Sequence, residues 1–562
     1  MTRRFRTSLT LVLVVVASLV FAAGDSGAKP QPKKEPVQIQ ILNVSDWHAQ
    51  LDPLSVFGVG NVGGAAELSA YWQQDRAANP NTLTLTAGDA YGASPPLSGF
   101  FDEVPAVLAM RLMGFDADTF GNHNFDRGIA HLQQMVDLAS APAGTQPGDP
   151  FQYVSANLRN LDDNLAGVKP FEIFDVGGAK VAVIGITNPE APTLVFPGSF
   201  GTIEVTDPVK AARRAWWQAK RAGADAFVAI THLGVTGFDP VTGAATGPLI
   251  DFATKIRGFD VIFGDHTDVQ FSGVIHKQLV VENRSKGATY ARVHLTVDPR
   301  RGKVLSTSAE FVTPFSDAVT PDPAIVDMLA PFRSELAAAF DAQIGVATDT
   351  FVRGGNIERR EEVAIGNLIT DAMRERYGTE LGFTNGGGIR APLPSSYLPA
   401  DLSLRRPAPG YAAGPPWDLV VGDVFSVLPF GNSVVTRTVT GAQLWAALEN
   451  GVSQVNADGT AADGRFPQIS GFRFVYDSRL PAGSRVISVE LGDGTPIPAD
   501  ATTYTFATND FVNAGGDSYT MFADGQGTTR EVMADVILEH IQALGTITPT
   551  VEGRIVNLAT AP

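Results

Sequence analysis

Five short stretches of this sequence end in residue types that bind cations. Asp46 and His48 stand in S-D-W-H, and Asp89 closes T-L-T-L-T-A-G-D. Asn122 and His123 lie in F-G-N-H-N-F-D, His232 closes F-V-A-I-T-H, and His266 and Asp268 lie in G-D-H-T-D. Each follows an apolar β-type run or a glycine turn, on the side where α/β folds build sites. Singly these signals are weak, since an Asp-x-His or a Gly-Asp after a strand is common in turns. Jointly they are not: four of the eight histidines stand at strand ends beside Asp, Asn or Gly. His131, His276, His294 and His540 lack that context and read as ordinary histidines. The set suits two divalent cations a few ångströms apart that share one carboxylate and clamp the attacking and leaving oxygens of a displacement at phosphorus. The chain has no cysteine, so any metal is held by nitrogen and oxygen, a donor set suited to zinc, manganese or iron. A bridging hydroxide would be the nucleophile, so no Ser or Cys nucleophile is needed.

These residues need rigid elements behind them. Strand-like runs at 37–44, 82–89, 180–187, 225–232 and 260–266 interleave with helical stretches at 65–77, 104–114 and 209–223. That alternation predicts a layered α/β domain up to about residue 320. Residues 323–341 read as a connecting helix with a kink at Pro331. Beyond it the texture changes: a helix near 366–377, a Gly/Pro-rich segment around 386–416, then strands and a glycine-rich loop near 513–517.

Arg3, Arg4 and Arg6 precede an apolar run from Leu9 to Ala23, and Ser26-Gly27-Ala28 follows with small residues. This reads as a secretory signal peptide over 1–28, with cleavage after Ala22 or Ala23 as the alternative and an uncleaved anchor disfavoured by the short run. Residues 29–36, K-P-Q-P-K-K-E-P, read as an extended tether. With 42 Lys+Arg against 59 Asp+Glu the net charge is −17, which argues against a nucleic-acid binder.

The order D-x-H, G-D, G-N-H-x-F-D, T-H-x-G, G-x-H resembles the calcineurin-like metallophosphoesterases in their exported 5′-nucleotidase and UDP-sugar hydrolase branch. The resemblance implies one cation site from Asp46, His48, Asp89 and Asp268. It implies a second from Asp89, Asn122, His232 and His266, with Asp89 bridging. His123 is similar to the family's catalytic histidine, which stabilises charge on the transferring phosphoryl group, and Asp126 would hold its ring. One departure stands out: Asp268 occupies a place where the family usually has a neutral ligand. If it binds, the first site is harder and tilts toward Mn²⁺ or Mg²⁺; the alternative is that Asp268 only hydrogen-bonds a ligand.

In the second half, Asn385 with three glycines in F-T-N-G-G-G-I-R makes a turn whose backbone can approach a ligand, and Arg390 offers a fork for phosphate. Phe430 in L-P-F-G-N and Phe511 in N-D-F stand in loop-like text and could sandwich a flat base. These segments are similar in order and spacing to the C-terminal domain of 5′-nucleotidases. The resemblance places Asn385 and Arg390 on phosphate or sugar, Phe430 and Phe511 on the base, Asp517 on the ribose, and Asn432 against the base. The family's additional phosphate-binding arginine has no certain equivalent, with Arg359 and Arg360 as candidates.

The expectation is therefore an α/β chain: a four-layer metallophosphoesterase β-sandwich flanked by helices over 37–320, a connecting helix over 321–344, and an α+β nucleoside-binding domain over 345–562. It would be a secreted phosphohydrolase, extracellular or in the periplasmic or cell-wall space, binding two divalent metal ions: Zn, Mn or a mixed pair, with Mg or Ca as alternatives. Its substrate would be a nucleoside 5′-monophosphate, cleaved by in-line attack of a metal-bridged hydroxide. Alternatives within hydrolases are a 2′,3′-cyclic-nucleotide phosphodiesterase or a nucleotide-sugar pyrophosphatase. Outside them stands a degenerate exported nucleotide-binding protein, and a nuclease is disfavoured by the acidic charge. The expected partner is a nucleotide, with no nucleic acid and no stable membrane insertion after signal cleavage.

Overall fold

Ile39 and Ile41 point to one face of the first strand, Val37–Val44, while Leu42 and Val44 point to the other, and both faces are buried. A strand of that kind needs a layer on each side. On one side the layer is a second sheet, and on the other it is helices. The first sheet runs in the order Lys303–Val312, Tyr290–Asp298, Val37–Val44, Thr82–Thr86, Ala117–Asp118, Gln152–Tyr153. The second runs Phe271–Ile275, Gln278–Glu282, Val261–Phe263, Ala226–Thr231, Ala179–Ile186, Phe171–Val176. Ile39, Ile41, Leu83 and Leu85 of the first meet Val181, Val183, Val228 and Ile230 of the second in a core between the sheets.

The helices Ala65–Ala78, Val104–Met113, Gly128–Ser140 and Pro323–Phe340 cover the outer face of the first sheet. Pro208–Arg221 and Pro248–Lys255 cover the second. Helix Pro208–Arg221 shows why: Ala211, Ala212, Ala215 and Ala219 form its buried stripe, and Asp207 caps it by accepting from the Lys210 N–H at 3.0 Å. The layered α/β domain expected from the alternation, and the four-layer sandwich implied by the family resemblance, are the observed architecture of this half. The helix Pro323–Phe340 continues as one element through Pro331.

The second half has its own five-stranded sheet, in the order Pro467–Ser470, Leu381–Asn385, Thr503–Asn509, Ser433–Thr440, Thr528–Val532. Helices Ala364–Tyr377 and Met533–Leu544 pack in one core against it, and Gly441–Val452 packs in another. This is the mixed, helix-flanked sheet expected of the second half. The computed structural model describes residues 35–560, apart from 57–58, 163, 240 and 461–462. The signal peptide expected over 1–28, and all but the last two residues of the tether, lie outside the described residues. Residues Pro36–Pro562 form one compact unit, and everything below concerns it.

The Gly/Pro-rich segment is more than a loop. Arg406 sits in it with its side chain 1% exposed and forks onto Asp423, which is 0% exposed, at 2.5 and 2.7 Å. The same guanidinium donates to the carbonyls of Tyr397 and Asp418, while Asp423 also accepts from Ser395 and from the Val420 N–H. Removing one member of a buried pair strands the other charge, at a cost of about 3–5 kcal/mol. Arg406→Ala should lower stability by that amount in urea unfolding; a loss under about 1 kcal/mol would mean that the pair does not organise the segment.

Candidate metal centre and adjoining cavity

The strands Val37–Val44, Thr82–Thr86 and Ala117–Asp118 run parallel in one sheet, and Ala226–Thr231 and Val261–Phe263 run parallel in the other. Their C-terminal ends deliver Asp46 and His48, Asp89, Asn122 and His123, His232, and His266 with Asp268. The turns that do so are strained. Asp46, His48, Asp89, His266 and Asp268 have φ of 39°, 48°, 48°, 87° and 61°, a region that non-glycine residues rarely adopt. Gly121 is required by the packing: a Cβ there would lie 2.2 Å from Asp89 Oδ1 and 2.6 Å from His232 Cε1. Asn124 fixes the same turn, its Oδ1 accepting from the N–H groups of Gly121 at 2.8 Å and Asp89 at 3.2 Å.

Two groups of ligand atoms result. His232 Nδ1 faces the Ala87 carbonyl at 3.2 Å, which leaves the Nε2 lone pair pointing the other way. That Nε2 lies 3.1 Å from Asp89 Oδ2, 3.2 Å from Asn122 Oδ1 and 3.1 Å from His266 Nδ1. Acceptors facing acceptors need a proton or a cation between them. Ligand atoms on a tetrahedral cation with bonds near 2.0–2.1 Å lie about 3.3 Å apart, so the spacing fits a metal. In the second group, ligand-type atoms of Asp46, His48 and Asp89 lie within 4.8 Å of one another. His48 Nδ1 is set against the Gly92 carbonyl at 2.7 Å, which makes Nε2 the acceptor of the ring. Asp89 belongs to both groups, as a bridging ligand would.

The electrostatics agree. Burial raises Asp46 to about 6, against the opposing effect of His232. Burial would raise Asp89 too, but the imidazoles of His232, His123 and His48 hold it well below the carboxylate range. Burial works against charge on His232, yet Asp89 and Asp46 lift it to about 9. His266, buried beside His232, falls to about 3. Burial beside Asp46 pushes Asp265 well above the ordinary carboxylate range, so the crowded ligand atoms here favour protons in the place a cation would take.

Asp268 stands apart from both compact groups. Its Oδ2 accepts from Asn356 Nδ2 at 2.6 Å, and despite burial Arg359, Asn356, Arg353 and Arg390 hold it below its ordinary range. His123 Nδ1 lies 3.0 and 3.2 Å from the two Asp126 oxygens, and the His123 N–H donates to Asp89 Oδ1 at 2.8 Å.

A cavity of about 570 Å³ adjoins these residues. Asn122, His123, Asp126 and His266 line it from the first half, and Asn385, Arg390, Phe430, Asn432, Phe511 and Asp517 from the second. Arg390 Nη2 approaches His48 Nε2 at 2.9 Å, and burial beside Arg359 and Arg353 lowers its pKa to about 9. Phe430 stacks on His123 with centroids 5.5 Å apart, under the Arg390 guanidinium. Phe511 lies against Gly516, where a Cβ would come within 2.3 Å of the ring; it sits in the helical turn Asp510–Asn513, not in a loop. Asp517 Oδ2 accepts from Asn385 Nδ2 at 2.7 Å, and burial raises its carboxyl to about 6. Asn432 donates to Asp510 at 2.7 Å.

Several residues escaped the motif reading. Asp265 is fully buried in the ligand cluster but looked like a spacer in G-D-H. Lys286 donates from its backbone to the Asp46 carbonyl at 2.9 Å and from Nζ to the Arg390 carbonyl at 2.7 Å, with no local signal beyond the following glycine. Arg353, not singled out by the sequence, sits beside Glu358 and Asp268, whereas Arg359 and Arg360, the candidates for the additional arginine, both line the cavity. The four remaining histidines lie elsewhere, His294 near Glu310 and His540 near Glu375 among them.

Residues 343–524 match the family model described as the 5′-nucleotidase C-terminal domain. A 5′-nucleotidase precursor from Thermus thermophilus superposes with a TM-score of 0.79 at 28% identity, covering 93% of this chain and 99% of that one. The chain is similar to the 5′-nucleotidases over nearly its whole length. It is also 26% identical to the snake venom 5′-nucleotidase of Naja atra, over 92% of this chain and 98% of that protein. It is 28% identical to the trifunctional nucleotide phosphoesterase protein YfkN of Bacillus subtilis, over 94% of this chain but 36% of that protein. The chain spans little more than a third of the first two curated relatives it matches. The 5′-nucleotidase resemblance read from the motifs is thereby borne out for this chain.

If Gly121 is the packing floor beneath Asp89 and His232, Gly121→Ala should weaken divalent-ion retention at least about tenfold while leaving the far-UV circular dichroism intact. Elemental analysis after dialysis against Mn²⁺ or Zn²⁺ measures this, and full metal content in the variant would refute it.

Proposed function

We propose that this 5′-nucleotidase relative is an exported phosphohydrolase that releases phosphate from nucleoside 5′-monophosphates using two divalent cations. The observation that carries the reading is the shared cavity: cation-type ligands enter it from the first half, and an arginine, two phenylalanines and a buried Asp enter from the second. On this reading residues 37–320 are the metallophosphoesterase domain, 321–344 the connecting helix and 345–562 the nucleoside-binding domain, behind a signal peptide over 1–28 and a tether. Among the described residues no helix is long and apolar enough to cross a membrane.

Asp46, His48 and Asp89 would hold one cation, with Asp268 within reach, and Asp89, Asn122, His232 and His266 the other. When bound, the cations supply Lewis acidity at phosphorus and an activated water. The chain's own residues do the rest. Asp126 orients His123, whose ring lines the cavity and would donate to the phosphoryl oxygens as charge builds on them. Arg390 and Arg359 place guanidinium groups beside the same space and would grip the anion. Phe430 and Phe511 offer flat apolar surface to a base, and Asp517 offers acceptor oxygens to ribose hydroxyls.

Phosphate release from AMP, 2′,3′-cyclic AMP and UDP-glucose with Zn²⁺, Mn²⁺, Mg²⁺ or Ca²⁺ tests the substrate, and AMP should turn over fastest. His123→Ala should leave metal content unchanged and lower AMP turnover by at least about a hundredfold; unchanged turnover would sink its role. Stacking of a base on an aromatic ring is worth about 1–3 kcal/mol. Phe511→Ala should therefore raise KM for AMP by about 5- to 150-fold while sparing p-nitrophenyl phosphate, and equal losses on both substrates would reject the base contact.

A further inference from the structure

Asp265 belongs to neither ligand set that the motifs imply, yet it touches ligands of both. Its side chain is fully buried. Its Oδ1 accepts from the His266 N–H at 3.1 Å, and that same N–H donates to Asp46 Oδ2 at 2.7 Å. Its Oδ2 has no hydrogen-bond donor among the described residues and lies 3.9 Å from His232 Nδ1. Ligand-type atoms of Asp46, His232 and Asp265 all fall within 4.8 Å of one another. Neighbouring Glu282 makes the contrast: also fully buried, it accepts from the Val235 N–H at 2.7 Å and the Thr267 hydroxyl at 2.6 Å.

A buried carboxylate oxygen without a donor is destabilising, and such groups in folded proteins call for an explanation. Here the position supplies one. Asp46 belongs to the first cation group, and His232 and His266 to the second. A buried carboxyl group that hydrogen-bonds the turn carrying a ligand fixes that ligand's orientation, and losing such an outer partner typically weakens metal binding about 10- to 100-fold. One placed behind ligands of two sites acts on both together.

We propose that Asp265 is a positioning residue that couples the two cation sites, holding the His266 turn through an N–H that it shares with Asp46 while supplying a further carboxyl group that favours cations next to Asp46. The inference rests on the cation-site reading above and goes beyond the ligand sets drawn from the motifs.

The test uses the full chain, stripped with chelator and titrated with Co²⁺ and with Mn²⁺. Asp265→Asn keeps the size and removes the charge. It should weaken Co²⁺ and Mn²⁺ binding by calorimetry about 10- to 100-fold and shift the visible Co²⁺ absorption. In the stripped protein the same variant should melt at the same temperature or higher, because a buried carboxyl oxygen without a hydrogen-bond partner is replaced. A residue with a purely structural role would do the reverse, lowering the melting temperature while leaving affinity and spectrum alone. Asp265→Glu restores the charge and should recover part of the affinity. The inference is overturned if Asp265→Asn changes Co²⁺ affinity less than threefold and leaves its spectrum unchanged. If the parent chain itself binds no Co²⁺ or Mn²⁺, the cation-site reading falls first, so the two failures are distinct.

Discussion

Concentrated negative charge out of reach of water governs this structure. Asp46, Asp89, Asp265 and Glu282 are all nearly or fully buried within one cluster. Removing each such ion from water costs several kcal/mol, which mutual repulsion makes worse. Hydrogen bonds from backbone N–H groups to Asp46, Asp89 and Glu282 offset part of that cost, and the proton on His232 offsets more. Burial also pushes Asp265 and Glu282 well above the ordinary carboxyl range, so without cations the cluster favours their neutral forms. A site assembled against that penalty, with imidazole nitrogens turned toward carboxylate and amide oxygens, has the donor set to hold cations.

The four-layer fold makes such a cluster tenable. Both sheets bury their inner faces against each other, so their parallel strands end at a common rim with rigid apolar packing beneath. The cost appears at that rim, in left-handed backbone at Asp46, His48, Asp89, His266 and Asp268. Glycine at 121 and the side chain of Asn124 let the turns close without pushing the ligands apart. Stability therefore resides in the sandwich, and the turns that carry the candidate ligands bear part of the chain's backbone strain.

The sequence was legible where residue type and local pattern coincide. Imidazole, carboxylate and amide side chains at the ends of apolar runs are unusual enough to mark a site, and the period-two runs behind them mark the strands. It was silent where function arises from packing between distant segments. Asn356 reaches Asp268 across 88 positions, Lys286 reaches the Arg390 backbone across 104, and Arg390 reaches His48 across 342. Nothing in the text around Lys286 signals that contact. Asp265 was hidden differently: flanked by ligands, it read as spacing because its partners lie behind them. Phe430 could be read as an aromatic near a ligand, but its stacking on His123 depends on how the two halves meet.

That meeting explains how a chain of net charge −17 could hold an anion. The first half brings a surplus of carboxylates, which cations would reverse. The second half brings Arg353, Arg359 and Arg390, packed closely enough that Arg390 is depressed to about 9 by burial and by the other two guanidinium groups. Like charges held that close are as poorly balanced as the carboxylates opposite, and Asp268 and Glu358 relieve them only in part. Each half is thus frustrated alone, with opposite sign. Arg390 against His48 and Asn356 against Asp268 bring the two imbalances to the edge of one cavity. A phosphate dianion between cations and arginines would satisfy both at once. The charge that matters for binding is this local arrangement across the cavity, and the global −17 leaves it untouched over distances beyond a Debye length of about 8–10 Å.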